Sequence, residues 1–172
     1  MVFLWESLNG RDYRIDHKKE FYFFRELLKS TINNILEEGD DIAIATFGCI
    51  KNGESALNYI YDFGSNTSSM YDAVQEYDKS PNNIYHNKDY SDLHYAIDEA
   101  IKDLSVHETE LPKAIYVLSA EYNNKQNSSS SAQDNIASAN KNNIQIHTIK
   151  YDFKGYGKHH INHIAQRTNG SD

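Results

Sequence analysis

Short apolar runs alternate with segments of helical periodicity along this chain, and no other feature constrains its fold as strongly. The runs that have the length and composition of buried strands are Val2–Glu6, Asp41–Phe47, Lys113–Ser119 and Ile144–Tyr151. Segments with helical character separate these runs, and strands that are joined through helices pair in parallel within one sheet. The alternation therefore predicts a mostly parallel sheet with helices on both of its faces.

The predicted helices are Glu20–Leu36, Ser68–Tyr77, Ser91–Leu104, Ala132–Asn140 and Lys158–Thr168. The first carries a broad apolar stripe, which consists of Phe21, Phe24, Leu27, Leu28, Ile32, Ile35 and Leu36. We expect Gly39 to close the C-terminal end of that helix, because glycine readily adopts the left-handed conformation of a helix cap. Ser91 is a suitable N-cap residue for the third helix, which has the clearest apolar stripe.

A weaker strand candidate, Ala56–Phe63, follows the second strand after a turn at Lys51–Ser55. Its internal Asn and Asp residues suit the edge of a sheet better than the centre. A short turn joins neighbouring strands in antiparallel orientation. We therefore expect a doubly wound α/β fold, a three-layer sandwich in which one antiparallel edge strand extends a mostly parallel central sheet.

Composition limits the classes of protein that this chain can represent. Its 172 residues are enough for one compact domain, and we expect residues 1–172 to form a single domain excised from a larger protein. A net charge of −8 opposes binding to nucleic acid. No apolar run approaches the roughly 20 residues that span a bilayer, and the N-terminus lacks the basic region of a signal peptide. A lone cysteine, Cys49, excludes an internal disulfide and a zinc site of several thiolates.

The residues that could carry catalysis or bind a metal have simpler structural interpretations. His159 and His163 are spaced like helical metal ligands, with His160 between them, but no glutamate completes a metalloprotease motif. These histidines suit a solvated helix start, and Cys49 suits a buried structural thiol. Ser119 ends a strand without the glycines of a nucleophile elbow. The first strand is followed by too few glycines for a phosphate-binding loop, and Gly155 and Gly157 suit a flexible turn.

Two further patterns agree with the composition of the chain. The glycosylation sequons at Asn66, Asn127 and Asn169 are about as many as chance predicts in a sequence so rich in asparagine. Four tyrosines lie before and within the third helix: Tyr77, Tyr85, Tyr90 and Tyr95. Aromatic residues are enriched at binding surfaces, but in a domain of this kind partly buried packing is the more usual role.

Taken together, the order of the segments resembles a von Willebrand factor type A domain. VFLWE is similar to the first central strand of that family, and the long helix followed by EEGDDIAIATFG is similar to its first helix and second strand. DYSDLHYAIDEAIKDL resembles the segment in which a threonine precedes a helix. PKAIYVLSAE, SANKNNIQIHTIKY and INHIAQRTNG resemble its last strand and helix units. The resemblance covers almost the whole chain.

The resemblance implies a divalent cation site at the carboxyl end of the sheet, but this sequence departs from the family's Asp-x-Ser-x-Ser motif. Glu6 falls at the position of the aspartate, and Leu8 and Gly10 fall at those of the serines. Mg²⁺ and Ca²⁺ require several oxygen ligands. Ser7 could move into range if the register of the first loop is shifted.

The other two loops of that family site depart from the pattern as well. Ser91 falls at the threonine and keeps a hydroxyl, whereas Ala120 replaces the final aspartate and Glu121 follows it. We therefore expect a degenerate site without a bound cofactor; if Mg²⁺ or Ca²⁺ binds, Glu6 and Ser91 are its candidate ligands.

The resemblance implies a non-catalytic protein-binding or adhesion module, and it favours an extracellular or secreted parent protein. Ligands of open parallel sheets bind at the strand ends, so we expect a protein partner, basic or polar, to bind the loops Ser7–Asp12, Tyr90–Asp92 and Ser119–Asn123. The candidate contact residues on this loop face are Glu6, Ser7, Asn9, Tyr90, Ser91, Asp92 and Glu121. The alternatives are a flavodoxin-like small-molecule-binding domain or enzyme that uses the same face, and a structural scaffold in an intracellular assembly.

Overall fold

A five-stranded sheet forms the centre of the molecule in the computed structural model. The structure describes residues 1–6, 15–37, 39–48, 55, 57–77, 93–119, 131–150 and 160–172, with the backbone alone for 15–20 and 160. The strands are β1 (Val2–Glu6), β2 (Ile42–Phe47), β3 (Leu57–Gly64), β4 (Lys113–Ser119) and β5 (Ile144–Lys150). Their order across the sheet is β3-β2-β1-β4-β5.

Strand directions match the expectation from sequence. β1 pairs in parallel with β2 and β4, and β4 pairs in parallel with β5. β3 is antiparallel to β2 and lies at the edge of the sheet. All side chains of β1 and β2 are buried, as expected for central strands that are covered on both faces. The predicted doubly wound, mostly parallel sheet with one antiparallel edge strand is confirmed.

The described helices are α1 (Ile15–Asn34), α2 (Thr67–Tyr77), α3 (Leu93–Val106), α4 (Ala132–Lys141) and α5 (His160–Arg167). α1 and α2 pack on one face of the sheet, where Phe24, Leu28, Met70 and Val74 join a core with Phe3 and Trp5. Helices α3, α4 and α5 pack on the other face and bury a second core against Leu4, Ala45 and Val117, among other residues. The sheet therefore separates two hydrophobic cores, which is the three-layer arrangement predicted from the sequence.

Local polar contacts define the starts of two helices. The Ser131 hydroxyl accepts a hydrogen bond from the Asp134 amide at 3.2 Å, and the Ser131 amide donates to the Asp134 carboxylate at 2.9 Å. This reciprocal capping box fixes the start of α4. At α2, the Asn66 side-chain oxygen accepts from the Ser69 amide at 2.9 Å. Both helices therefore begin where a side-chain oxygen accepts a hydrogen bond from a first-turn amide that has no acceptor within the helix.

The end of α1 corrects one sequence prediction. The helix ends at Asn34 rather than at Leu36, and the side chain of Ile35 is 69% exposed instead of part of the apolar stripe. The Ile35 amide donates to the Thr31 carbonyl at 3.0 Å, and the Leu36 amide reaches the same oxygen at 3.2 Å from five residues away, so the last turn widens and the regular helix stops. Gly39 therefore does not cap the helix; it lies in the following turn with φ of +102°.

The tyrosines that are close in sequence are separated in space. Tyr77 is buried against Trp5, with ring centroids 5.2 Å apart, on the α1 and α2 face. Tyr95 is half-buried and packs against the core on the opposite face. Tyr85 and Tyr90 lie outside the described residues. Packing is thus the role of the two described tyrosines, and they do not form one cluster, because the sheet lies between them.

Candidate functional site

The carboxyl ends of β1 and β4 bring Glu6 and Ser119 together. The two strands are neighbours in parallel register, with Trp5 opposite Leu118, so their last residues lie side by side at the edge of the sheet. The Ser119 hydroxyl donates to the Glu6 carboxylate at 2.6 Å. Glu6 is 5% exposed and Ser119 is fully buried. A short hydrogen bond to a buried carboxylate is among the stronger polar contacts in a protein.

A second buried polar pair lies at the same edge, where α3 and α4 begin. His94 Nδ1 and Asn135 Oδ1 are 3.1 Å apart, and Asn135 Nδ2 donates to the His94 carbonyl at 3.0 Å. Because the amide nitrogen is the donor in the second bond, the amide oxygen is the acceptor in the first, and His94 Nδ1 carries the proton. Asn135 thereby fixes the first turn of α3 to α4, next to the loops that we expect to bind a partner.

Of the predicted site residues, Glu6 is the one that the described part of the chain contains. It lies at the carboxyl end of the sheet, and its part in partner binding stays a prediction. The other candidates, Ser7, Asn9, Tyr90, Ser91, Asp92 and Glu121, lie outside the described residues, as does Ala120. Cys49, Gly155, Gly157, His159 and the sequon Asn127 lie outside them too. Asn66 and Asn169 are described, and both are exposed.

The described residues bring together no catalytic set or metal-binding cluster. The Ser119 hydroxyl donates to Glu6, and this contact differs from the serine–histidine pair of a nucleophilic hydrolase. His163 is exposed, and within the described ranges no three His, Cys, Asp or Glu side chains are placed to share an ion. None of the helices in those ranges is long and apolar enough to cross a membrane.

Sequence reasoning missed the Glu6–Ser119 and His94–Asn135 pairs. The partners are separated by 113 and 41 residues, respectively, so no local motif links them. The change from apolar to polar residues at the ends of β1 and β4 could have indicated the Glu6–Ser119 pair, because the last residues of adjacent parallel strands lie at the same edge of a sheet.

Comparison with solved structures identifies the fold. The chain resembles proximal thread matrix protein 1 from the mussel byssus, in a structure with a zinc-occupied MIDAS motif, with a TM-score of 0.71 and 11% identity; the match covers 99% of this chain and 42% of that one. The SpRpn10 VWA domain matches with a TM-score of 0.56 and 14% identity over 99% of this chain and 86% of its own. This chain therefore adopts the von Willebrand factor type A fold.

A third comparison agrees. The manganese-loaded TRAP protein of Plasmodium vivax matches with a TM-score of 0.61 and 15% identity, over 94% of this chain and 61% of that one. This chain thus spans about two fifths of the mussel protein and about three fifths of TRAP. No family model and no curated protein matches the sequence. The likeness therefore lies in the three-dimensional arrangement of the elements.

Proposed function

We propose that this domain is a non-catalytic protein-binding module of the von Willebrand factor A type, which binds a protein partner through the loops at the carboxyl end of its sheet. The fold supports this proposal, because domains of this type commonly bind proteins. The contact residues would be Ser7, Asn9, Tyr90, Ser91, Asp92 and Glu121. Glu6, which is 5% exposed, would position the start of the first loop rather than touch the partner. An adhesion role, in which the partner is basic or polar, suits the acidic and polar character of these loops.

The observation that carries the proposal is the use of Glu6 within the protein. Its carboxylate is buried and accepts the Ser119 hydroxyl, so an internal hydrogen bond fixes the strand end from which the first loop starts. A preorganised polar surface loses less entropy when a partner binds.

We further propose that binding proceeds without a functional metal ion. Mg²⁺ and Ca²⁺ need six or more oxygen ligands. At the positions that correspond to family ligands, Leu8, Gly10 and Ala120 carry no side-chain oxygen, and the Glu6 carboxylate already accepts a hydroxyl at 2.6 Å. The residues of this chain therefore do not fit the five-ligand site, although the mussel protein has its motif occupied by zinc.

Calorimetry tests the absence of a metal. We expect titration of the 172-residue protein with Mg²⁺, Ca²⁺ or Mn²⁺ to give no binding at micromolar affinity, and the melting temperature to be the same with each ion as with a chelator. Saturating binding by any of the three ions, lost on Glu6→Gln and Ser91→Ala, would show that the site is functional.

Binding to a partner is tested with matched variants. We expect immobilised wild-type protein to retain a specific partner, which is then purified and titrated against each variant. Tyr90→Ala with Glu121→Gln should weaken the affinity by about tenfold, as expected when two contact side chains are removed. Asp72→Asn with Glu76→Gln, on the exposed side of α2, is the control and should leave the affinity unchanged.

An equal loss of affinity for the partner in both double variants would show that the interface does not lie on the loop face. A nucleotide or chromophore that co-purifies with the protein, detected by absorbance and mass spectrometry, would favour the small-molecule-binding alternative and contradict the proposal.

A further inference from the structure

An open cleft lies at the amino-terminal edge of the parallel strands, at the opposite end of the sheet from the loop face. It forms where β3 ends, where α3 ends and where the chain enters β2. Its volume is about 450 Å³, and it is lined by Asp62, Phe63, Asp103, Val106, His107 and Glu108. Binding clefts range from about 300 to about 1,000 Å³, so this cleft has room for a few side chains of a partner.

Apolar surface lies open in this cleft. The rings of Phe63 and His107 are stacked, with centroids 3.9 Å apart and an angle of 14° between their planes. Val106, at the end of α3, is 78% exposed. An exposed aliphatic side chain beside a stacked aromatic pair provides contacts for an apolar side chain of a partner.

Polar contacts hold the walls of the cleft in place. His107 Nε2 contacts the carboxylate of Asp41, which joins the end of α3 to the start of β2. The Tyr59 hydroxyl donates to Asp103 at 2.6 Å, which ties α3 to β3. Burial and the neighbouring Asp103 raise the pKa of Tyr59 far above its ordinary value, so the phenol stays a donor. The cleft is therefore preformed, which lowers the entropic cost of binding.

The described lining of the cleft is rich in carboxylates. Three of the six lining residues, Asp62, Asp103 and Glu108, are acidic, and none is Lys or Arg. Lys102, one turn back on α3, is bound to Asp98 at 2.7 Å. Closely spaced carboxylates attract cations, most strongly where apolar surface excludes water.

We propose that this cleft is a second interaction surface, which binds a basic peptide segment that presents an aliphatic side chain between Arg or Lys residues. The aliphatic group would contact Val106, and an arginine would stack on the Phe63–His107 pair and pair with Asp62 or Glu108. Arginine combines both abilities, since its planar guanidinium stacks on aromatic rings and binds carboxylates in bidentate fashion. The two surfaces lie at opposite ends of the sheet, so the domain can hold two partners at once.

Fluorescence anisotropy tests this proposal with the complete protein and a labelled peptide of sequence Gly-Arg-Leu-Arg-Leu-Arg-Gly. We expect saturable binding that weakens as salt rises from about 0.05 to about 0.3 M, because screening acts on exposed charges. Asp62→Asn with Glu108→Gln should weaken binding by about fivefold, in line with the loss of two partly exposed charge contacts. Val106→Ser should weaken it by about threefold.

Matched controls separate the cleft from general charge and apolar effects. Asp72→Asn with Glu76→Gln makes the same charge change on α2, and Ile35→Ser removes an apolar group that is similarly exposed. Neither should change the affinity, and the peptide with Glu in place of Arg should not bind. In two-dimensional NMR, the amides of Phe63 and Val106 should shift, whereas those of Glu6 and Ser119 should not.

Equal weakening by the control variants, or amide shifts confined to the loop face, would overturn the proposal. So would the absence of peptide binding at millimolar concentration. The cleft and the loop face share no residue, so each of these results leaves the function proposed for the loop face standing.

Discussion

Single buried hydroxyls join segments of this chain that are far apart in sequence. Thr168 is an example, because its side chain is nearly inaccessible and lies between α5 and β5. Its hydroxyl accepts a hydrogen bond from the Ile146 amide at 3.1 Å and donates to the Ile164 carbonyl at 3.0 Å. A buried amide that loses its acceptor keeps the full cost of desolvation. Thr168 therefore contributes more to stability than its size suggests.

We predict that Thr168→Val lowers the free energy of unfolding by about 1–3 kcal/mol, because the Ile146 amide loses its acceptor while side-chain volume is conserved. Urea denaturation measures this change. Thr31→Val is the control: the Thr31 hydroxyl donates only to the Leu27 carbonyl within α1, and its loss should cost about 0.5 kcal/mol or less. Equal effects of the two substitutions would contradict this role of Thr168.

His147 gives the stability a defined pH dependence. Its ring stacks on Tyr116 at 4.6 Å, and its Nδ1 accepts a hydrogen bond from the Ser171 amide at 3.1 Å. Burial lowers the pKa of His147 below its ordinary value. The unfolded chain therefore binds a proton first as the pH falls, and the stabilisation present above about pH 6.5 is lost as the pH drops through the folded-state pKa.

We predict that His147→Gln flattens the decline in stability between about pH 7 and about pH 5.5 relative to wild type. Urea midpoints across this range measure the difference. His163→Gln, which removes a histidine at an exposed site on α5, is the matched control. A His147→Gln profile parallel to that of the wild type would show that this histidine does not contribute.

The two edges of the sheet are protected in different ways at the scale of whole elements. β3 carries two bulges against β2: Ile42, Ile44 and Ala45 pair with Gly64, Tyr61 and Tyr59, so β3 gains an extra residue at each step. Bulges interrupt the regular ladder that another strand would need for pairing. On the other edge, the C-terminal tail lies along β5, where the Thr148 amide donates to the Ser171 carbonyl at 2.8 Å. The tail thus continues the ladder of β5.

Gly170 allows the tail to approach β5 this closely. A Cβ atom at this position would lie 1.8 Å from the Ile146 carbonyl oxygen, which belongs to the backbone and cannot rotate away. We predict that Gly170→Ala detaches the tail and raises the hydrogen-exchange rate of the Thr148 amide by about tenfold or more.

Gly39→Ala is the matched control for Gly170→Ala. Gly39 has a positive φ but nothing within 4 Å of an added Cβ. Its substitution should lower the free energy of unfolding by about 1 kcal/mol through backbone strain alone. The Thr148 amide should then exchange no faster than this loss of global stability explains. Unchanged exchange at Thr148 in the Gly170→Ala variant would contradict the close packing of the tail.

At the scale of the whole molecule, one sheet supports both hydrophobic cores. Trp5, the single tryptophan of the chain, is fully buried in the core beneath α1 and α2. Leu104 is fully buried in the opposite core beneath α3. The central strands contribute side chains to both cores in alternation. Because the same strand backbones support both cores, the disruption of one core also disrupts the other. The domain should therefore unfold as one cooperative unit.

We predict that Leu104→Ala lowers the stability by about 2–5 kcal/mol, as a cavity in a close-packed core does. Trp5 fluorescence and far-ultraviolet circular dichroism should report the same unfolding midpoint, although the substitution is on the other face of the sheet. Val106→Ala, at an exposed position of the same helix, should change the stability by about 0.5 kcal/mol or less. Separate midpoints for the two probes would show that the cores unfold independently.

Much of the fold could be predicted because its signals are local. The runs Ile42–Phe47 and Lys113–Ser119 are apolar on both faces, which is typical of central parallel strands, and the structure confirms both. The stripe of α3 predicted its buried face correctly, since Leu93, Ile97, Ile101 and Leu104 are all buried. Ile35 was placed wrongly because periodicity does not show where the last turn of a helix ends.

The site was predictable to a smaller extent. The sequence placed Glu6 at a strand end, where such sheets bind ligands, and its role at a binding site stays a prediction. Its bond with Ser119 and the cleft around Phe63 and His107 were not found. These contacts join residues that are far apart in the chain, and no spacing in the sequence encodes which strand ends become neighbours.

The sequence by itself determined the class of fold, the order of its elements and the acidic character of its surface, because hydrophobic periodicity and charge are properties of neighbouring residues. Only the tertiary structure decided which polar groups meet at each edge of the sheet. The strand order β3-β2-β1-β4-β5 brings Glu6 to Ser119 at one edge, and the end of α3 places His107 against Phe63 and Asp41 at the other. Such contacts depend on the packing of distant segments, which the chain acquires only when it folds.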